Sequence, residues 1–249
     1  MSVDGSISPS GVWIANDFRF NLIIDRYDPV FADMRASKLK HLRSANSEDA
    51  VTWNVFRSLR QIEPATWFPG LWGRAFQAIA APEHDRVSVK LWVSVDPPLG
   101  LLAGGDEGAS EIDVVLESPD WVWFIEAKHR SDISPGTTTR PDRDQILRNL
   151  DVGTYYAGVR DFYFSLLISD EARSPLGVRK VAEYQEIDYV RHKLTHRRDH
   201  VRNLKCVGAL YWQHLRDALI DACEDSKRDD EKSYARRAVE WLEAKRIVS

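Results

Sequence analysis

Apolar residues fall on every second position of Val87-Ser-Val-Lys-Leu-Trp-Val-Ser-Val95. That period predicts a strand with Val87, Val89, Leu91, Val93 and Val95 on one face, stopped by Pro97-Pro98. Two further runs, Glu111-Ile-Asp-Val-Val-Leu-Glu117 and Trp121-Val-Trp-Phe-Ile-Glu-Ala127, predict neighbouring strands joined through Ser118-Pro-Asp120, a turn composition. Residues 162–168 are almost unbroken apolar sequence, as in a strand buried on both faces, and residues 204–212 predict a last strand. Helical spacing links Val51, Val55, Phe56 and Leu59, behind a cap at Asn46 or Ser47 and before Pro64. It recurs at Ile146, Leu147, Leu150 and Tyr155 and over residues 178–194, 213–223 and 229–246, the last with Tyr234, Ala238, Trp241 and Leu242 inward. Phe31, Met34, Leu39 and Leu42 carry a weaker helical signal. The first dozen residues read as a frayed arm, residues 99–110 and 131–141 as loops, and residues 64–86 show no clear period.

Helix, three strands, then alternating helix and strand predict an α/β fold with a mixed sheet flanked by helices. Residues 1–45 read as a partly helical N-terminal extension, and residues 46–249 as the main domain with its C-terminal helices.

Composition narrows the classes. With 43% hydrophobic residues the chain can bury a sizeable core. Its formal net charge of -4 means that any nucleic-acid binding depends on a local basic surface. Cys206 and Cys223 lack the spacing of a zinc site, and they read as reduced thiols of a cytoplasmic protein. Met1-Ser-Val-Asp-Gly-Ser6 shows no basic segment followed by an apolar run, so no secretory signal is expected. No apolar stretch is long enough to span a bilayer, so no membrane partner is expected.

Candidate chemistry sits on the paired strands. Residues two apart on a strand share a face, so Glu126 and Lys128 lie together with Ala127 turned away, and Glu111 and Asp113 likewise share a face. Pairing through the Ser118 turn brings Asp113 beside Glu126. A hard divalent cation prefers oxygen ligands and takes few carboxylates from protein; Asp113, Glu126 and the Ala127 carbonyl suit it. Such an ion lowers the pKa of a bound water, and Lys128 would orient that water or stabilise the charged transition state. The alternative for Glu126 and Lys128 is a strand-end salt bridge. Against it stands the abrupt charge after five apolar or aromatic residues, since buried like charges are costly without a cation.

Asp113, twelve intervening residues and then Glu126-Ala-Lys128 resemble the PD-(D/E)xK nuclease superfamily, over about residues 46–170. The resemblance implies a restriction-endonuclease-like fold and a nuclease dependent on Mg²⁺ or Mn²⁺, acting on nucleic acid, DNA in preference to RNA. It adds Glu48, on the helix before the sheet, as a third acid and metal ligand; otherwise Glu48 is a residue favoured in a helix's first turn. It adds Gln145 as a contact to substrate or to a metal-bound water, where a subset of the superfamily carries Gln followed four residues later by Tyr; otherwise Gln145 reads as a solvated side chain. Asn149 stands in that second place here, and Ile112 replaces the nominal Pro before the first Asp. A catalytically silent member that binds nucleic acid or protein is the alternative. Trp241 and the terminal helix offer a surface for a homodimer, and a partner protein is a second source of target recognition.

Arg130 at the mouth of the proposed site, with Arg140 and Arg143 near Gln145, are the candidate phosphate contacts. The basic run from Arg191 to Arg202 reads either as a further contact or as a solvated connection. His192 and His196, at helical spacing, lack an acidic third ligand and read as surface residues. Gly100–Gly108 has no Walker lysine and reads as a flap beside the site.

Overall fold

The computed structural model describes residues 4–77, 79–99, 107–136, 140–197 and 201–248. The chain opens with a hairpin of β1 (Gly5–Ile7) and β2 (Trp13–Ala15), followed by α1 (Ala36–Leu42), α2 (Glu48–Leu59) and α3 (Phe68–Ala75). Then come β3 (Ser88–Val95), β4 (Ser110–Glu117), β5 (Trp121–Ala127), α4 (Gln145–Ala157) and β6 (Asp161–Ile168). The remainder is α5 (Pro175–Gln185), α6 (Ile187–Lys193), β7 (Leu204–Tyr211), α7 (Trp212–Asp225) and α8 (Asp229–Ala244).

β3 to β7 form one five-stranded sheet in sequence order. β3, β4 and β5 pair antiparallel; β5, β6 and β7 pair parallel. β4 and β5 join through residues 118–120 alone, whereas each parallel step needs a crossover, supplied by α4 and then by α5 and α6. The architecture is therefore α/β, a mixed sheet with helices on both faces. Trp121, Trp123, Ile125 and Ala127 of β5 pack with α2, α3, α7 and α8 on one face. Val122 and Phe124 pack with α4, α5 and α6 on the other. All seven residues of β5 are buried, as the continuous apolar run requires. Among the described residues no helix is long and apolar enough to cross a membrane.

Several expectations change. In β3, Val87, Val89 and Leu91 pack on the α2 side, but Val93 and Val95 pack on the α4 side. The cause is Trp92 between them, whose φ of 54° is left-handed and reverses the pleat. The opening arm is a paired strand from Gly5 onward. The segment around Pro29 is a 3-10 turn capped by Asp28, and only Ala36–Leu42 is α-helical. The unassigned aromatic region contains α3, whose Phe68 and Trp72 pack against Trp121 and Trp123. Residues 178–194 form two helices broken at Glu186, whose ψ of 90° is not helical. On α4, Tyr155 is 41% exposed and lies off the apolar stripe, which Val152 completes. The proposed glycine-rich flap falls largely on residues 100–106, outside the described residues.

Candidate functional site

The site forms where β4 parts from β5. Their ladder runs from Glu117↔Val122 to Val114↔Ile125, and one step further would set Asp113 opposite Glu126. There the Ala127 N–H donates to Asp113 Oδ2 at 2.9 Å, so a side chain replaces the strand carbonyl as acceptor. Ile112 beyond this point packs on the face opposite Val114, a reversal that coincides with Trp92 on the adjacent strand. β5 meanwhile stays registered on β6: the Lys128 N–H donates to the Leu167 carbonyl at 2.7 Å, and Trp212 Nε1 donates to the Lys128 carbonyl at 3.1 Å. The fork thus leaves Asp113, Glu126 and Lys128 gathered inside the helix-covered sheet, where β5 ends.

Two helices complete the cluster. Ser47 caps α2 by accepting from the Ala50 N–H at 3.1 Å, which fixes Glu48 in the first turn. Glu48 Oε2 accepts the His129 N–H at 2.7 Å and the Ser131 hydroxyl at 3.2 Å, and Glu48 Oε1 lies 3.7 Å from Lys128 Nζ. Asp144 caps α4 through the Leu147 N–H at 3.0 Å. That cap sets Gln145, whose Nε2 donates to Glu126 Oε1 at 2.5 Å while its Oε1 accepts the Ser134 N–H. Glu126, 2% exposed, also accepts Lys128 Nζ at 2.7 Å and Asn149 Nδ2 at 2.8 Å.

Asn149 is the residue that sequence reasoning missed. The available signal was its place four residues after Gln145, on the same helix face. Glu111 departs from the expected grouping: it pairs with Lys38, which also meets Asp49 at 3.5 Å, so both acids belong to a neighbouring ion-pair cluster.

Three carboxylates surround one ammonium. Burial, then the charge of Glu126, hold the Asp113 carboxyl well above the usual carboxylate range, with Lys128 only partly offsetting them. Burial also raises Glu48, against the pull of Lys128. For Lys128 burial opposes the charged form, yet Glu126, Glu48 and Asp113 together lift its pKa above the ordinary lysine value. Lys128 is therefore a fixed cation at neutral pH. His129 is pushed down to about 4 by burial and by the Arg130 and Arg173 charges, so its imidazole is neutral there.

The donor set suits a hard divalent cation in charge and in oxygen chemistry. Among the described residues, however, no group of three or more His, Cys, Asp or Glu side chains is arranged to hold a metal ion. Both Glu126 oxygens, Glu48 Oε2 and Asp113 Oδ2 accept hydrogen bonds from protein donors.

The arginine candidates separate. Arg130 is exposed beside the site and lines a cavity of about 740 Å³ with Glu48, Ser131, Lys40 and His41. Arg140 pairs with Asp142 at 3.3 Å. Arg143, read as a phosphate contact, is instead buried at 2% exposure and paired with Glu107 at 2.7 Å and Asp151 at 2.8 Å. In the basic run, Arg191 pairs with Asp188 and Arg197 is buried on Asp151 at 2.8 Å. His196 likewise bonds Asp151, whereas His192 bonds the Asp188 carbonyl, so the two do not converge on a metal. Arg198 and His200 lie outside the described residues. Comparison with family models, curated proteins and solved structures finds no match to the chain.

Proposed function

We propose that the protein is a metal-dependent nuclease of the restriction-endonuclease-like, PD-(D/E)xK type, hydrolysing phosphodiesters of nucleic acid, DNA in preference to RNA. The observation that carries this reading is the meeting of Asp113, Glu126 and Lys128 with Glu48 and Gln145 at the fork between β4 and β5. Asp113, Glu126 and Glu48, with the Ala127 carbonyl, are the residues that would hold Mg²⁺ or Mn²⁺. Such an ion, when bound, supplies a water of lowered pKa and offsets charge on the phosphate. Lys128, kept cationic by its three carboxylate neighbours, acts as an electrostatic group and a hydrogen-bond donor to the phosphate, not as a general base. Gln145 and Asn149 fix the Glu126 carboxylate from the helix behind it.

The test is cleavage of supercoiled plasmid, linear duplex, single-stranded DNA and RNA with Mg²⁺ or Mn²⁺. Wild type should cleave at least one of them. Asp113→Asn should abolish cleavage, and Lys128→Ala should slow it by about 10²–10³-fold. A second reading, a catalytically silent nucleic-acid or protein binder, draws on the full occupation of Glu126 by Lys128, Gln145 and Asn149. Absence of cleavage of every substrate, together with no thermal shift on adding divalent metal, would favour it.

A further inference from the structure

Immediately past Lys128 the chain enters a second cavity, of about 460 Å³, lined by Arg130, Arg173 and Arg246 with His129, Ser169 and Asp170. Three arginines and a single acid line it, in a chain whose formal net charge is -4. Asp170 pairs with Arg173 at 2.9 Å, but both side chains are about half exposed, and such surface pairs hold weakly. Arg130 donates only to the neutral imidazole of His129, at 3.3 Å. Among the described residues neither Arg130 nor Arg246 has an ion-pair partner, whereas Arg57, Arg160 and Arg197 all do.

Arg246 supplies an independent observation. It follows α8 at the position after the C-cap: the Ile247 N–H donates to the Leu242 carbonyl and the Arg246 N–H to the Glu243 carbonyl. That pair of bonds closes a helix on a left-handed residue, ordinarily glycine. Arg246 takes the left-handed φ of 54° despite its side chain. A glycine would close the helix without that strain, and Arg246 is exposed and lines the cavity. A conformationally unfavourable residue beside a charged cavity is the pattern expected of a ligand contact.

We propose that Arg130, Arg173 and Arg246 form a pocket that seats a phosphate of the nucleic-acid strand, next to the bond presented to Asp113, Glu126 and Lys128. The proposal rests on the nuclease reading and adds to it the path of the strand. Arg130 lines both this cavity and the one beside Glu48, so the strand passes it in crossing from the Lys40 and His41 side to the end of α8. A planar guanidinium suits this task because it meets phosphate oxygens with two parallel donors.

The experiment measures binding of a fluorescein-labelled duplex and of its single strand to the full chain in EDTA, across a salt series, with cleavage assayed in parallel. The variants are Arg173→Ala, Arg246→Gly and both together, with Arg228→Ala as an exposed control on the far turn. The double variant should bind about tenfold more weakly at moderate salt, and its log–log salt dependence should flatten by about two counterions. Arg246→Gly should lose affinity while its Tm stays equal to or above wild type, a combination that a merely structural role does not produce. Wild-type cleavage with unchanged binding and cleavage in the double variant would overturn the pocket and leave the nuclease standing. Arginine-dependent binding with no cleavage by any form would support the pocket and overturn the nuclease. Neither binding nor cleavage by wild type would overturn both. A Tm rise with inorganic phosphate that the double variant lacks, with unaltered duplex binding, would mark a free-anion site and overturn the strand contact.

Discussion

Asp113 stores an electrostatic cost in the folded protein, because burial and Glu126 both oppose its ionisation. Its folded pKa lies above the unfolded value of 3.8, so the ionised form is disfavoured in the native state relative to the unfolded chain. The penalty is present above the raised pKa and disappears as pH falls through it towards 3.8. Asp113→Asn keeps an acceptor for the Ala127 N–H and removes the charge. In EDTA the variant should melt above wild type at neutral pH, and the gap should close on acidification. Divalent metal should raise the Tm of wild type and leave the variant unmoved. A pH series of melting curves checks this, and a variant that melts below wild type at neutral pH would contradict the buried-charge account. Asn149 makes a separate prediction. It holds Glu126 Oε2 at 2.8 Å and sits behind the reacting groups, so Asn149→Ala should lower activity or metal affinity by about 10–100-fold. Metal titration of the rate, resolving kcat from KM, checks it; a loss confined to stability would leave Asn149 a packing residue.

Between elements, the buried Asp151 of α4 ties distant turns together. It accepts from Arg143, Arg197 and His196, each at 2.8 Å, and so joins the turn before α4 to the turn after α6. Removing one member of such a group strands the other charges. Asp151→Asn should cost about 3–5 kcal/mol by urea denaturation, and a cost under ~1 kcal/mol would show the group to be well solvated after all. This knot also shows what sequence reading misses. Residue type reveals charge and not burial, so Arg143 and Arg197 read as phosphate contacts or solvated charge in the sequence, while their common partner lies 8 and 46 positions away in the chain. β5 and β6 were legible because strands covered on both faces have unbroken apolar sequence. β3 was legible as a strand but not in its facing, since periodicity does not register the left-handed Trp92. The grouping of Asp113, Glu126 and Lys128 followed from local strand spacing and one short turn. The spacing from Gln145 puts Asn149 on the same helix face, but that this face meets Glu126 depends on how α4 packs across the sheet, which a single sequence does not state.

Across the whole molecule, residues before position 46 behave as part of the site's support. Phe18, Leu22, Ile24, Phe31 and Leu42 are buried against Ala50 and Trp53 of α2. Trp53 Nε1 donates to the Ile24 carbonyl at 2.9 Å, and Asn54, fully buried, bonds both Ile23 and Asn21. Lys245, at the end of α8, reaches Asn21 at 2.9 Å, so the first and last parts of the chain clamp α2 between them. α2 in turn delivers Glu48 to His129 and Lys128. Five buried side chains at roughly 1.5–3 kcal/mol each are comparable with the whole stability of about 5–15 kcal/mol expected of a folded domain. A chain starting at residue 46 would also leave Asn54 without two of its partners. It should therefore lose cooperative unfolding or melt far below the full chain, and any folded fraction should cleave poorly because Glu48 is no longer held. Urea denaturation and the cleavage assay on the two lengths check this. A shortened chain that matches the full one in midpoint, slope and rate would show residues 1–45 to be an appendage, and would move the wall of Ser8, Lys40 and His41 out of the substrate path.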